Sequence, residues 1–414
     1  MKLDNILKYL DMNIDTDLII NGIKTNSKEV EPNDLFLAIN KGHYYIDEAI
    51  SNGAVAVISE NNKHYDVFTI HVESTKEVLK KIASYFRKLY KIPLIAVTGS
   101  TGKTTTKDLI SLILSKKYNV LKSVGNQNND IGLPLTLLNL NNNYDIVVTE
   151  MGMNHSGEIS ELSKIAKPDY AVITNIGSAH IGNLGSQDNI FKAKLEILDG
   201  MDNGILLVNK KDKFLKKIKY NNTIFVNKKK LKVKKIKYFE EYIEFYIGDI
   251  KFKFNSSFKH ILIDVFIAIQ IGLLFDVDIE LISKAISEYK FENGRLNIIK
   301  QKYTIIDDSY NSSYESLIGG LYRLKKEKEF KFIVLGDILE LGIHSEVYHK
   351  KINKYLKKIK NKQVLLIGRY TRYIKGIHFN NIDEINEYLK KYVMDNSIIY
   401  IKGSRKMNLD KIKI

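Results

Sequence analysis

A short run of glycine, hydroxyl and lysine residues has the composition of a phosphate-binding loop: Gly99, Ser100, Thr101, Gly102, Lys103, Thr104 and Thr105. The run stands between an apolar stretch typical of a buried strand and an amphipathic stretch typical of a helix. Backbone N–H groups of such a loop converge on phosphate oxygens, and the helix N-terminus adds roughly half a positive charge. Lys103 would reach the β- and γ-phosphates, and the Thr104 hydroxyl would bind Mg²⁺. The pattern predicts an ATP site.

The spacing of this loop differs from the commonest phosphate-loop motif. Val97 stands where that motif has its first glycine, and the shorter form T-G-x-x-G-K-T-T is present instead. A glycine turn before a helix, with incidental Lys and Thr residues, is the competing interpretation. The strand–loop–helix setting favours phosphate binding.

Two further polar residues stand at the ends of predicted strands. Glu150 ends the stretch YDIVVTE, and His180 follows the stretch YAVITNI. Because ligands of open α/β sheets lie outside the carboxyl ends of the strands, both side chains should face the edge that carries the phosphate loop. Such a pair would hold a second Mg²⁺ between ATP and an acceptor carboxylate. For His180 alone, a surface or capping histidine is the alternative.

Alternating strand-like and helix-like stretches must position these residues, and they predict an α/β fold with mostly parallel sheets. A small α/β unit comes first, and the unit with the phosphate loop follows it. After Gly294, the stretches YTIIDDSY, KFIVLGD, QVLLIG and SIIYIKG indicate another doubly wound unit. We place boundaries near residues 91 and 295, which gives domains 1–90, 91–295 and 296–414.

The positive net charge of the chain leaves binding to nucleic acid open as another class of function. The 414 residues include 64 Lys and Arg against 48 Asp and Glu, a formal charge of +16. The densest basic run, residues 228–237, alternates lysines with Leu231, Val233 and Ile236, which predicts a strand with one solvated face. A surface for polyanions, and with it an ATPase stimulated by nucleic acid, is the alternative.

Other features of composition indicate a soluble cytoplasmic protein. The chain has no cysteine, so disulfides, thiolate metal sites and cysteine nucleophiles are excluded. The N-terminal residues lack the pattern of a signal peptide. The most apolar long stretch, Ile261 to Phe275, contains Asp264 and is shorter than the roughly 20 residues of a membrane span. We expect no transmembrane segment.

Several motifs resemble those of the Mur ligases, and many of them resemble the MurF branch, which adds D-alanyl-D-alanine. They occur in the family's order from about residue 25 to residue 405, at 99–107, 125–138, 150–158, 173–180, 193–196, 306–311, 334–342 and 402–405. The resemblance implies an N-terminal domain for a UDP-sugar, UDP-MurNAc, a central P-loop-type ATPase domain and a C-terminal Rossmann-like domain for the amine. It also implies a monomer that binds no nucleic acid.

The resemblance implies a reaction in two steps. The terminal carboxylate of UDP-MurNAc-tripeptide takes the γ-phosphoryl group of ATP and becomes an acyl-phosphate. The amine of D-Ala-D-Ala then attacks, so an amide forms and phosphate leaves. Two Mg²⁺ ions would serve the reaction, which belongs to peptidoglycan precursor synthesis. The nearest alternatives are a sister Mur ligase or a folylpolyglutamate synthetase, each adding one amino acid, and a non-catalytic relative used as a binding module.

Residue roles also follow from the resemblance. Lys194 matches the family's carbamylated lysine, which helps to position the second Mg²⁺, whereas the sequence alone makes it a solvated helix lysine. Arg295 matches the arginine that reaches the γ-phosphate. The remaining matches are Asp308 at the ribose, Asn175 near the adenine, and the substrate contacts Ser27, Asn126, Asn129, Tyr310 and Asn311.

Three short segments depart from the family pattern. Asn26-Ser27-Lys28 replaces Asp-Ser-Arg, and lysine lacks the bidentate fork of arginine. His260-x-x-x-Asp264 replaces His-x-x-x-Asn, and an ionised aspartate cannot donate a hydrogen bond as an amide does. Asn311-Ser312-Ser313-Tyr314 replaces Asn-Ala-Asn-Pro. No departure affects the predicted phosphate or metal residues.

Overall fold

Four β-sheets organise the chain in the computed structural model, which describes residues 1–413. The first sheet has four parallel strands in the order β1-β2-β3-β4. Its elements are α1 (Leu3–Tyr9), β1 (Ile23–Lys24), β2 (Asp34–Leu37), α2 (Ile46–Ser51), β3 (Ala54–Ser59), β4 (Phe68–His71) and α3 (Thr75–Leu89). Helix α3 begins after Ser74, whose side chain caps it by accepting a hydrogen bond from the Glu77 N–H.

The second sheet has six parallel strands in the order β10-β9-β8-β5-β7-β6. Its strands and the helices between them are β5 (Leu94–Thr98), α4 (Lys103–Leu114), β6 (Val120–Lys122), α5 (Gly132–Leu137), β7 (Ile146–Glu150), α6 (Glu158–Ala166), β8 (Tyr170–Ile173), α7 (Ile181–Leu184), α8 (Gln187–Leu195), β9 (Ile205–Asn209) and β10 (Thr223–Val226). Strands β5 and β7 are buried along their whole length, since helices cover both faces. This order places the carboxyl ends of β7, β5 and β8 side by side.

A small antiparallel sheet follows, which the sequence predicted only in its first strand. Its strands are β11 (Val233–Tyr238), β12 (Ile243–Ile247) and β13 (Ile250–Phe254). In β11, Val233 and Ile236 are partly buried and the lysines between them are exposed, as predicted for this part of the basic run. Residues 228–230 precede the strand in a turn. Two helices then pack near α4: α9 (Leu262–Leu274) and α10 (Ile279–Glu288).

The last sheet has the order β14-β15-β19-β16-β17-β18, parallel except for β14. Its elements are β14 (Asn297–Lys300), β15 (Thr304–Asp307), α11 (Tyr314–Leu324), β16 (Lys331–Gly336), α12 (Ser345–Leu356), β17 (Lys362–Ile367), β18 (Ile377–Phe379), α13 (Ile382–Tyr392) and β19 (Ile398–Lys402). The four predicted strands are β15, β16, β17 and β19.

The predicted α/β fold with mostly parallel sheets is therefore confirmed. The division into three domains stays a prediction, although residues 91 and 295 fall shortly before β5 and β14. Within residues 1–413, no helix has both the length and the apolar character needed to cross a membrane. The apolar stretch near Ile261 forms α9, whose side chains are mostly buried among the other elements.

Candidate active site

A cavity of about 660 Å³ opens at the carboxyl ends of β7, β5 and β8, and loops of the last sheet close its other side. Most of the predicted site residues line it: Ser100, Thr101, Gly102, Lys103, Thr104, Thr105, Asn126, Asn129, Glu150, Asn175, His180, Arg295, Asp308, Tyr310 and Asn311. Gly99 precedes this set in the chain, and Lys194 is buried. Ser27 does not line the cavity. The structure thus brings the predicted nucleotide and metal residues together.

The phosphate loop depends on its two glycines. Gly99 has φ 151° and Gly102 has φ 78°, a region of backbone space that side chains disfavour. A Cβ atom at Gly99 would overlap the Thr174 hydroxyl, and one at Gly102 would lie 2.5 Å from Asp264 Oδ2. Lys103 begins α4 and donates from Nζ to the Gly99 carbonyl at 3.1 Å. The two glycines therefore fix a tight turn that leads into the N-terminus of α4, where the first N–H groups of a helix favour an anion.

Asn175, which follows β8, holds the phosphate loop by hydrogen bonds. Its Oδ1 accepts a hydrogen bond from the Thr101 N–H at 3.1 Å, and its Nδ2 donates to Thr101 Oγ1 at 2.9 Å. Its carbonyl accepts from the Ser100 N–H at 3.0 Å. Asn175 therefore touches the loop itself, and its contact with adenine stays a prediction.

Glu150 and Thr104 form the candidate magnesium site. The Thr104 hydroxyl donates to Glu150 Oε2 at 2.7 Å, and Asn128 Nδ2 donates to Oε1 at 2.7 Å. Glu150 is 2 % exposed, so these bonds fix its orientation. Among the described residues, no group of three or more His, Asp and Glu side chains would hold a metal. One carboxylate and one hydroxyl still fit Mg²⁺, because phosphate oxygens and water usually complete its shell.

His180 directly precedes α7, as its N-cap, in a left-handed conformation with φ 63°. Burial lowers the pKa of its imidazole to about 3, and the nearby charge of Lys103 adds to this effect. The ring is therefore neutral at pH 7, which is the form that binds metals. Its Nδ1 lies 3.5 Å from Glu340 Oε2, a carboxylate on the segment after β16.

Lys194 is buried near these groups. Its side chain, on α8, is 1 % exposed, so the interpretation as a solvated helix lysine is wrong. Burial lowers the pKa of its amine well below the usual value, and Lys103 lowers it further against the opposing charges of Glu340 and Glu150. In the part of the chain that the structure describes, its Nζ forms no hydrogen bond. The arrangement favours a neutral amine.

The last sheet contributes a charged pair to the cavity. Asp308 Oδ2 accepts hydrogen bonds from Lys402 Nζ at 2.6 Å and from the Tyr400 hydroxyl at 3.2 Å. Burial raises the pKa of Asp308, and Lys402 opposes this shift. Within residues 1–413, Oδ1 of Asp308 accepts no hydrogen bond, so it is available to a ligand. The role of Asp308 at the ribose stays a prediction.

Arg295 and Tyr310 lie against each other at the same side of the cavity. The guanidinium carbon of Arg295 is 3.9 Å from the centre of the Tyr310 ring, which holds the arginine by a cation–π contact. Asn311 Oδ1 accepts from the Ser312 N–H at 2.8 Å and from the Arg405 N–H at 3.3 Å. These contacts leave the predicted roles of the three residues untested.

Two of the departures from the family pattern have local explanations. Ser313 caps α11 by accepting from the Ser316 N–H, and Tyr314 takes the first helical position, where proline is also favourable. Asp264 is buried against Gly102, and burial raises the pKa of its carboxyl well above the usual value. This shift favours the protonated acid, which donates a hydrogen bond much as an amide does, and the contact of Asp264 with adenine stays untested.

Ser27 lies apart from the cavity, next to the first sheet. It is 6 % exposed, and its hydroxyl donates to Glu48 Oε2 at 2.5 Å. Asn26 caps the short turn by accepting from the Lys28 N–H at 3.3 Å. The hydroxyl of Ser27 is thus already bonded, and its contact with a substrate stays a prediction.

The cavity lining also includes residues that the sequence did not assign to the site, among them Asn128, Asp212, Glu315 and Glu340. Asp212 accepts from the Ile176 N–H at 2.9 Å, and Glu315 accepts from the Ser178 hydroxyl at 2.9 Å. Asn128 and Glu340 stand within motifs 125–138 and 334–342, so the sequence carried a signal for them. Asp212 and Glu315 stand outside the motifs.

Comparisons with known proteins agree with this geometry. Residues 97–270 match the model of the Mur ligase middle domain. The chain is 34% identical to a UDP-N-acetylmuramoyl-tripeptide–D-alanyl-D-alanine ligase from Buchnera aphidicola subsp. Baizongia pistaciae, over 95% of this chain and 91% of that one.

Two crystal structures of MurF proteins share the fold. The Acinetobacter baumannii protein is 26% identical with a TM-score of 0.86, over 99% of this chain and 97% of that one. The Thermotoga maritima protein, in complex with ADP, is 30% identical with a TM-score of 0.84, over 96% of this chain and 97% of that one. The chain therefore belongs to the MurF family of the Mur ligases.

Proposed function

We propose that the chain is an ATP-dependent ligase that joins D-alanyl-D-alanine to the tripeptide carboxylate of UDP-MurNAc-tripeptide, in peptidoglycan precursor synthesis. The observation that carries this function is one cavity in which the phosphate loop, the Thr104–Glu150 pair and His180 meet the loops of the last sheet. Membership of the MurF family supports the same substrates, and it does not favour a sister ligase or a folylpolyglutamate synthetase.

Each of the three predicted domains binds a different substrate. Residues 1–90 bind the UDP-sugar, 91–295 bind ATP, and 296–414 bring the amine. This division is supported by the sheets, because the phosphate loop leaves the second sheet, and Asp308, Tyr310 and Asn311 follow a strand of the last one. Reaction therefore takes place where the second and last sheets face each other across the cavity.

In the first step, the loop and Lys103 hold the triphosphate so that the γ-phosphorus faces the tripeptide carboxylate. Arg295 stabilises negative charge on the transferring group, since its position against Tyr310 limits its freedom. The residues that would hold two Mg²⁺ ions are Thr104 and Glu150 for one, and Glu150, His180 and, once carbamylated, Lys194 for the other. Bound there, they would screen the repulsion between carboxylate and phosphate.

Lys194 is suited to carbamylation. Its neutral amine would attack CO₂, a C–N bond would form, and one proton would leave to give an anionic carbamate. Carbamylation would convert an unpaired buried amine into an anion near Lys103, whose positive charge lowers the pKa of Lys194. This exchange is favourable because it places an anion beside the cation of Lys103.

The test is phosphate release from ATP in the presence of UDP-MurNAc-tripeptide, with D-Ala-D-Ala, with each single amino acid, and with DNA or RNA. We expect turnover only with both the tripeptide and the dipeptide, and we expect Lys103→Ala to abolish it. Equal turnover with D-Ala alone would indicate a different ligase, and stimulation by nucleic acid would contradict the ligase function.

A further inference from the structure

Glu340 reaches the cavity from the segment Leu339–His344, which follows β16 and packs on α7 (Ile181–Leu184). Two glycines make this contact close, because a Cβ atom on Gly182 would lie 2.6 Å from the Gly342 nitrogen. His344 Nε2 also lies 3.2 Å from the Gly185 carbonyl oxygen. The packing places the Glu340 carboxylate 3.5 Å from His180, at the end of the cavity where Lys194 is buried.

The carboxylate of Glu340 has no cationic partner of its own. Within residues 1–413, no lysine or arginine forms an ion pair with it, and its side chain is 32% exposed. Glu315, another carboxylate of the last unit that lines the cavity, instead accepts a hydrogen bond from Ser178. Glu340 is thus free to bind a cation that enters the cavity.

The chemistry of the substrates identifies that cation. The free amine of a dipeptide has a pKa near 8, so at neutral pH it is largely an ammonium with three donors. It must come close to the acyl carbon, inside the cavity that Glu340 lines. The predicted magnesium ligands Thr104, Glu150, His180 and Lys194 all belong to the second sheet's unit, whereas Glu340 belongs to the unit proposed to bring the amine.

We propose that Glu340 binds the ammonium group of the incoming amine and orients its nitrogen toward the acyl-phosphate. This inference rests on the proposed function. It assigns a substrate-binding role to one residue of the motif 334–342. Glu340 acts in the second step of the reaction. Its carboxylate takes one proton from the ammonium group, so that the neutral nitrogen attacks the acyl carbon, the amide C–N bond forms and phosphate leaves. It has no part in the transfer of phosphate from ATP.

The test compares Glu340→Gln with the control Glu346→Gln, which removes an exposed carboxylate of the same unit that pairs with Lys350. Acyl-phosphate is trapped by borohydride reduction after mixing with ATP, Mg²⁺ and UDP-MurNAc-tripeptide, without dipeptide. We expect both variants to form it at the wild-type Mg²⁺ requirement. With dipeptide added, kcat/KM for D-Ala-D-Ala should fall at least about tenfold in Glu340→Gln alone, the loss typical of one charge-assisted hydrogen bond.

Three results would overturn the proposal. Loss of acyl-phosphate or a higher Mg²⁺ requirement in Glu340→Gln would make the residue a metal ligand. An unchanged kcat/KM for the dipeptide would show that it does not bind the amine. If the wild-type protein itself formed no acyl-phosphate, the proposed function would fail, and this inference with it. Should Glu340→Gln not fold, Glu340→Ala is measured in the same way, and a wild-type kcat/KM there contradicts the proposal.

Discussion

Two lysines with almost no exposure lie near opposite sides of the same cavity, and their surroundings differ. Lys402, on β19, is 2 % exposed and donates to Asp308 at 2.6 Å and to the Asn311 carbonyl at 3.0 Å. Lys194, on α8, is 1 % exposed and has no such acceptor among the described residues, while Lys103 repels its charge. A buried cation that is paired supports the structure, whereas an unpaired one is driven to the neutral, reactive form.

Replacing each lysine by methionine keeps most of the side-chain volume and tests this comparison. If both substitutions had the same effects on activity and stability, the comparison would be wrong. Lys194→Met should lower kcat by at least about 10²–10³-fold. The variant cannot form the carbamate that would help to hold the second Mg²⁺, whose charge stabilises the transition state. Its free energy of unfolding should not fall, since no ion pair is removed. Steady-state phosphate release and urea unfolding measure the two quantities. Added bicarbonate should not restore activity, and near-normal turnover would refute the role of Lys194.

Lys402→Met should have its main effect on stability. Removing this cation leaves the Asp308 carboxylate buried without its ion-pair partner, which costs about 3–5 kcal/mol. Urea unfolding of Lys402→Met beside Lys194→Met is the direct measurement. Equal stability of the two variants would show that the Asp308–Lys402 pair does not support the fold.

Asn128 extends the comparison to a third kind of contact. It is a neutral side chain that orients a buried charged group, the carboxylate of Glu150. Asn128→Ala removes the hydrogen bond to Glu150 Oε1 and should raise the Mg²⁺ concentration for half-maximal activity by about 10–100-fold. A Mg²⁺ titration of phosphate release measures this change. Asn139→Ala, which alters an exposed amide beyond α5, is the control and should behave as wild type.

Asp264 is the acidic counterpart of Lys194, since it is buried and its Oδ1 has no hydrogen-bond partner within residues 1–413. Burial raises the pKa of its carboxyl, so the folded protein holds a proton that the unfolded chain releases above pH about 4. This contribution to stability is complete below the unfolded pKa and is lost as pH rises toward the folded pKa. Asp264→Asn should therefore gain stability over wild type by up to about 1.4 kcal/mol per pH unit across that window.

Urea unfolding of the wild-type protein and Asp264→Asn at pH 5, 6 and 7 measures this difference. A stability difference that stays constant over these pH values would mean that Asp264 is ionised in the folded protein. The KM for ATP should change little, because the amide and the protonated acid both donate a hydrogen bond.

Much of the site was predictable because local patterns determine it. The phosphate loop follows from its glycines and its strand–loop–helix setting, and parallel strands bring Glu150 and His180 to the same edge. The burial of Lys194 was not predictable from the pattern, since its helix carries Lys192 and Asn189 and only a weak apolar stripe. Contacts such as Glu315 with Ser178 join residues far apart in the chain, so no local spacing indicates them.

The strands, too, fall into those that the sequence predicted and those that it did not. Buried strands of parallel sheets form continuous apolar runs, which is why β15, β16, β17 and β19 were found. Strands β12 and β13 carry charged residues on their exposed faces, as in Glu244 and Lys251, and they went unrecognised. Edge strands β14 and β18 were also missed, because they are only partly buried.

The most direct test of the central claim is ¹³C NMR of the protein equilibrated with ¹³C-labelled bicarbonate. A neutral, unpaired Lys194 amine predicts a protein-bound carbamate resonance in the wild type and its absence in Lys194→Met. No carbamate resonance in the wild type, or the same resonance in both proteins, would contradict the account.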